Sequence, residues 1–114
     1  MNFPRRGEIY WVNLDPTIGT EIDKTRPALI ISNDIGNQYS DRVIVAPTTS
    51  QNIGRVYPFE VLVPQGEAGL TQDSKVLLDQ IRSVDKLRLG NRIGTLSNRR
   101  MIEVDRAIRL SLKV

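Results

Sequence analysis

Thr25-Arg26-Pro27-Ala28-Leu29-Ile30-Ile31-Ser32-Asn33-Asp34 and Val43-Ile44-Val45-Ala46-Pro47-Thr48-Thr49-Ser50-Gln51 are two short apolar runs, each with polar residues at an end. A continuous apolar run of this length, rich in β-branched side chains and bounded by turn formers, is the pattern of a strand buried on both faces. Residues 28–32 therefore read as one buried strand and residues 43–46 as another. Pro47 has no N–H to give to a sheet ladder and marks a strand end or a bulge. The polar ends place the guanidinium of Arg26 and a threonine hydroxyl at the rim of whatever these strands build.

The same reading extends outward. Residues 8–14 form a strand with Tyr10, Val12 and Leu14 on one face. Residues 15–24, opened by Asp15-Pro16 and carrying Gly19, form a long hairpin loop. Residues 33–41, with their Asn, Asp and Gly, read as loop. Residues 56–63 give a fourth strand followed by a turn at 64–69, residues 75–78 a fifth strand and residues 91–95 a sixth. The period then changes. Met101, Val104, Ile108 and Leu112, spaced by three, four and four, form the apolar stripe of a helix that Ser97 caps. Asp105 and Arg109 are placed as a favourable i,i+4 pair on it. Arg99 and Arg100 sit in its first turn, where the helix dipole disfavours cations, so they either face an anion or are simply solvated. Short strands closed by one helix predict a mainly β fold, a small antiparallel barrel with a C-terminal α-helix, in a single domain over residues 1–114.

Composition narrows the chemistry. The 114 residues contain no histidine and no cysteine. That excludes the usual proton shuttle, the thiol nucleophile, disulfides and thiolate metal sites. Carboxylate-bound magnesium stays open, but no acidic cluster stands out, and the expectation is no metal and no cofactor. The net charge of +3 is uneven: residues 1–82 carry −2 and residues 83–114 carry +5. A basic terminal segment suits a polyanion or an acidic protein partner, or is a solvated helix face. The longest apolar runs are about five residues, against roughly 20 for a membrane span. With no signal-like start, the expected place is the cytoplasm, away from membranes. With one Trp, three Tyr and two Phe, aromatic residues are few, and Tyr39 and Tyr57 read as core residues rather than base-stacking platforms.

Arg6-Gly7-Glu8-Ile9-Tyr10-Trp11-Val12, Lys24-Thr25-Arg26-Pro27-Ala28-Leu29-Ile30, Ser32-Asn33-Asp34, Val45-Ala46-Pro47-Thr48-Thr49-Ser50-Gln51 and Val76-Leu77-Leu78-Asp79-Gln80-Ile81-Arg82-Ser83-Val84-Asp85-Lys86-Leu87 together resemble the MazF/PemK family, in order over nearly the whole chain. The resemblance implies the toxin half of a type II toxin–antitoxin pair, with an SH3-like barrel of the MazF/CcdB plasmid-maintenance architecture. It implies a homodimer that cuts single-stranded mRNA at a short sequence without metal, and an acidic antitoxin partner whose disordered tail competes for the RNA groove.

Residue by residue, the resemblance places Arg26 and Thr49 at the catalytic positions. A guanidinium presents a fork of donors to phosphate oxygens, and Pro27 limits the backbone beside it. Thr49 offers a hydroxyl to a non-bridging oxygen or to the attacking 2′-OH, with Thr48 and Ser50 one residue to either side. Thr17, Gly19, Thr20, Glu21 and Lys24 match the family's variable loop near the RNA groove. Asn33, Gln51 and Gln80 fall in matching blocks and are candidates for reading base edges. Each also has an ordinary structural alternative as a turn or strand-end hydrogen-bonding residue. Two further functions compete with the ribonuclease: a CcdB-like toxin that binds DNA gyrase, and an RNA-binding barrel without catalysis. The C-terminal Leu110-Ser111-Leu112-Lys113-Val114 lacks the terminal aromatic that would suit a gyrase binder.

Overall fold

In the computed structural model, which describes residues 2–114, β1 (Glu8–Asn13) and β2 (Thr25–Ile30) form an antiparallel hairpin joined by the long loop. The chain continues through α1 (Asp34–Tyr39), β3 (Arg42–Thr49), β4 (Glu60–Val63), β5 (Ser74–Leu77), β6 (Arg82–Asp85), β7 (Leu89–Thr95) and α2 (Asn98–Leu112). Every strand pairing is antiparallel, in the order β4-β5-β3-β2-β1-β7, with β6 added to the first half of β3. Among the described residues the pairing does not close into a ring, so the expected barrel is an open one. Also among the described residues, no helix is long and apolar enough to cross a membrane.

β3 organises the sheet. Residues 42–45 pair with β6 and residues 45–47 with β2, while its last two residues, Thr48 and Thr49, pair with Val76 and Lys75 of β5. Pro47 sits at this handover, opposite Ala28. The strand does not end there as expected but runs on two residues, because the ladder changes partner where the proline has no N–H to offer.

Alternation sorts the core into two clusters. Ile9, Leu29 and Ala46 point to one face, where Val61, Val63, Val76 and Leu78 join Val104 and Ala107 of α2. Val12, Leu14, Ala28, Ile30 and Val45 point to the other, closed by Val43 and Val84. Ala28, Leu29 and Ile30 are all fully buried, as their unbroken apolar run predicts. Ser97 caps α2 by accepting from the Arg100 N–H.

Several expectations are corrected. Residues 34–39 form a helix, not loop: Asn33 caps it, and the buried Asn37 amide donates to the Ser32 carbonyl at 2.8 Å, closing the turn. The fourth strand is only Glu60–Val63, because residues before it turn, with the Glu60 N–H donating to the Tyr57 carbonyl at 2.8 Å. β6 was not expected; Arg82-Ser83-Val84-Asp85 has one buried apolar side chain, Val84, so its pattern is too short to see. Leu112 is 56% exposed, and Ala107 takes the inner place on α2. Asp105 pairs not with Arg109 but with Arg6, at 2.7 Å. The anion facing Arg100 is protein carboxylate: Glu67 and Glu103, each at 3.0 Å.

A short turn, Glu67–Gly69, lies backbone against backbone on β7. A Cβ at Gly94 would sit 2.2 Å from the Ala68 carbonyl oxygen, and one at Gly69, which has φ +76°, would sit 2.4 Å from that of Ile93. Neither neighbour is a side chain that can swing away. Gly94→Ala is therefore expected to cost about 2 kcal/mol, the usual scale for forced overpacking, read as a lower urea midpoint at unchanged slope.

Candidate catalytic groove

The register of β2 on β3 brings the two candidate catalytic residues together. The β2–β3 ladder ends with Ala28 opposite Pro47, and just beyond that end Arg26 and Thr49 line the same two hollows. Between them the Thr48 hydroxyl donates to the Pro27 carbonyl at 2.7 Å and is itself buried. Thr48 is thus a staple between the strands, with its hydroxyl already committed. Arg26 is held at its base: Nε donates to the Asp23 carbonyl at 2.7 Å, and Nη2 lies 3.6 Å from the Asp23 carboxylate. That second contact is long and partly exposed, so the distal guanidinium remains available to an anion. The Thr49 hydroxyl accepts from the Gln51 N–H at 3.2 Å, which leaves its proton free to donate.

Arg26 and Thr49 stand on the ridge between two hollows. The larger, about 540 Å³, is lined by Trp11, Lys24, Ser50, Gln72 and Arg92 among others. The smaller, about 290 Å³, adds Gln51, Asn52, Glu60 and Lys75. A groove with a guanidinium and a hydroxyl at its centre and further cationic and polar groups along its walls can hold a phosphodiester strand and concentrate positive charge on one phosphate.

The other sequence-derived candidates divide. Lys24, Ser50 and Gln51 line these hollows, as does Thr48. Thr20, Glu21 and Gln80 line a separate depression of about 490 Å³ with Arg82. There Gln80 Oε1 accepts from the Ile22 N–H at 2.8 Å and Glu21 Oε1 accepts from the Ile18 N–H at 2.6 Å. Both side chains thereby shape the loop that carries Thr17 and Gly19. Asn33 is not brought to the groove. It lies beyond the far end of β2, seven residues from Arg26 and so roughly 20 Å along an extended chain, where its Oδ1 accepts from the Gly36 N–H. Tyr39 and Tyr57 are not core residues: they are 78% and 43% exposed, because α1 presents Tyr39 outward and Tyr57 precedes β4 in a turn.

With this geometry in view, comparison with known proteins is decisive. The model of the PemK-like, MazF-like toxin of type II toxin–antitoxin systems matches residues 5–112. The chain belongs to the PemK-like, MazF-like toxin family. It is 44% identical over 108 residues to the endoribonuclease MazF of Staphylococcus epidermidis, covering 95% of this chain and 90% of that one. Its fold is similar to the crystal structure of MazF from Deinococcus radiodurans, with a TM-score of 0.85, 30% identity and full coverage of both chains. It is also similar to a MazE–MazF structure from the same organism, with a TM-score of 0.77 at 27% identity, again over the full length of both.

In this PemK-like toxin the sequence reading missed the groove's walls. Trp11, Gln72 and Arg92 line it, with Arg92 oriented by Glu8 at 3.0 Å. It also missed Lys75, the cross-strand partner of Thr49, which is buried with Glu60. The one available signal was a lysine at the head of the otherwise apolar Lys75-Val76-Leu77-Leu78. A charge inside a buried strand predicts a partner but does not say which.

Proposed function

We propose that this toxin is a sequence-selective endoribonuclease that cleaves single-stranded mRNA by attack of the ribose 2′-OH on the adjacent phosphate. The new P–O bond to the 2′-oxygen forms as the bond to the 5′-oxygen breaks, the 2′-hydroxyl proton passing to solvent and the leaving 5′-oxygen taking one from it, which leaves a 2′,3′-cyclic phosphate and a 5′-OH. RNA supplies the nucleophile, so the protein's task is alignment and charge stabilisation. The observation that carries the reading is that Arg26 and Thr49 line the same two adjoining hollows. Arg26 neutralises charge gathering on the non-bridging oxygens. A guanidinium is a donor with no acceptor site, and so serves as a stabiliser rather than a base. Thr49 donates to one of those oxygens. No step requires a metal. Lys24, Ser50 and Gln51 line the strand's path, and Glu21 and Gln80 shape the loop beside it.

Family membership supports the remaining features of the proposal. The chain acts as one catalytic domain over residues 1–114, works as a homodimer in the cytoplasm where mRNA is found, and is held in check by an acidic antitoxin. The +5 charge of residues 83–114 favours such a partner.

Long single-stranded RNA incubated with the protein in excess EDTA, with product ends mapped, tests the reaction. Discrete cuts with 5′-OH ends support it. Intact RNA from folded protein removes it and leaves gyrase binding or non-catalytic RNA binding. Thr49→Val is expected to slow single-turnover cleavage by about 100-fold, the scale of one lost donor to a developing charge, while Thr49→Ser keeps most of the rate. Equal rates for wild type and Thr49→Val would take Thr49 out of the mechanism.

A further inference from the structure

The groove does not end at Lys75. The small hollow beside Arg26 and Thr49 shares Asn52, Glu60 and Lys75 with a further depression of about 640 Å³, which Gly54, Arg55 and Tyr57 complete. A continuous path therefore runs from the catalytic ridge to Tyr57.

Tyr57 is a built feature of that depression. Its ring lies parallel to that of Phe59, with centroids 5.5 Å apart and planes within 4°. The Arg55 guanidinium stands 5.7 Å from its centroid and Nη1 donates to its hydroxyl at 3.3 Å. Beneath it is the buried ion pair. Lys75 Nζ donates to Glu60 Oε1 and to the Arg55 carbonyl, both at 2.9 Å, and the same Glu60 oxygen accepts from the Tyr57 N–H at 3.0 Å. Lys75 and Glu60 are 6% and 7% exposed. Two charges have been taken out of water, and their hydrogen bonds run to the backbone of Arg55 and Tyr57. The ring is thus held at a fixed height on the groove wall with part of its surface open.

We propose that Tyr57 is a stacking subsite for an unpaired nucleobase of the RNA strand that crosses the catalytic ridge. This deepens the ribonuclease reading and rests on it. A single strand offers bases free of partners, a fixed aromatic ring accepts any base by its π-face, and the neighbouring Arg55 suits the phosphates on either side. Phe59 stacks on the ring and Lys75 Nζ stands 5.9 Å from its centroid, while the exposed part of Tyr57 is the surface offered to a base.

The test uses two fluorescein-labelled twelve-nucleotide probes read by anisotropy: a random-sequence 2′-O-methyl RNA, which cannot undergo 2′-OH attack, and an all-abasic strand of the same charge. Wild type is expected to prefer the base-bearing probe by about tenfold or more, the range for one aromatic stack. Tyr57→Ala and Tyr57→Leu lose that preference, and Tyr57→Phe keeps it within about twofold. Tyr57→Leu retains apolar bulk without a π-face, so a change of packing alone does not mimic the result. If wild type binds both probes and folded Tyr57→Ala retains the full preference, the subsite is overturned while the ribonuclease reading stands. If folded wild type binds neither probe, both fail.

Discussion

Arg26→Ala is expected to lower the rate of RNA cleavage by about a thousandfold or more while the protein stays folded. Arginines that stabilise a phosphorus-centred transition state are typically worth 10³ to 10⁵ in rate, and of the other cations lining these hollows only Lys24 has no carboxylate partner among the described ion pairs. Lys75 is spent on Glu60 and Arg92 on Glu8. The structural cost is small because Arg26 is partly exposed and its contact with Asp23 is long; such pairs contribute about 0–1 kcal/mol. The thermal midpoint should therefore move by only a few degrees. Arg26→Lys should recover little of the rate, since an ammonium on a flexible stem cannot reproduce a bidentate fork. Single-turnover cleavage of an oligonucleotide spanning a mapped cut, beside a thermal melt, measures both. A variant within tenfold of wild type would remove Arg26 from the chemistry.

Lys75→Met carries the largest expected effect on stability. It removes one member of a buried pair and leaves Glu60 with a carboxylate facing no cation. Breaking such a pair from one side costs about 3–5 kcal/mol. For a domain of this size that lowers the melting point by more than about 10 °C. Replacing both partners, as in Lys75→Met with Glu60→Leu, should recover much of the loss, because two apolar side chains need no desolvated charge. Urea denaturation of the single and double variants decides it: a double variant no more stable than the single would show that the cost lies in packing rather than in the stranded charge.

The contrast between these two residues shows what the chain's sequence discloses and what it withholds. Arg26 and Thr49 stand out as candidates because they lie at the ends of apolar runs, in blocks that match a known family, and both line one groove. The runs themselves specify burial: Ala28, Leu29 and Ile30 are buried on both faces as an unbroken apolar stretch requires. Ser97 was legible as a cap because its side chain acts within its own turn. What failed was non-local. The pairing of Asp105 with Arg6 and of Arg100 with Glu67 joins segments far apart in the chain, and helical spacing alone points to nearer partners. β6 was invisible because a short polar strand borrows its order from β3. Glu21 and Gln80 were expected near RNA and are found engaged with the loop backbone, a role their residue types permit equally well. Asn33 caps α1, the helix that the Asn-Asp-Gly composition disguised as loop.

The groove is walled by residues drawn from Trp11 in β1 to Ile93 in β7. No shorter stretch carries it, and its central pair exists only when β2 and β3 are zipped in register. During synthesis Arg26 and Thr49 are made early, yet β7, which completes their surroundings, is followed only by α2. Folds dominated by such distant pairings also form slowly. For a protein whose proposed substrate is RNA, the topology leaves the groove incomplete on the nascent chain until β7 has been translated.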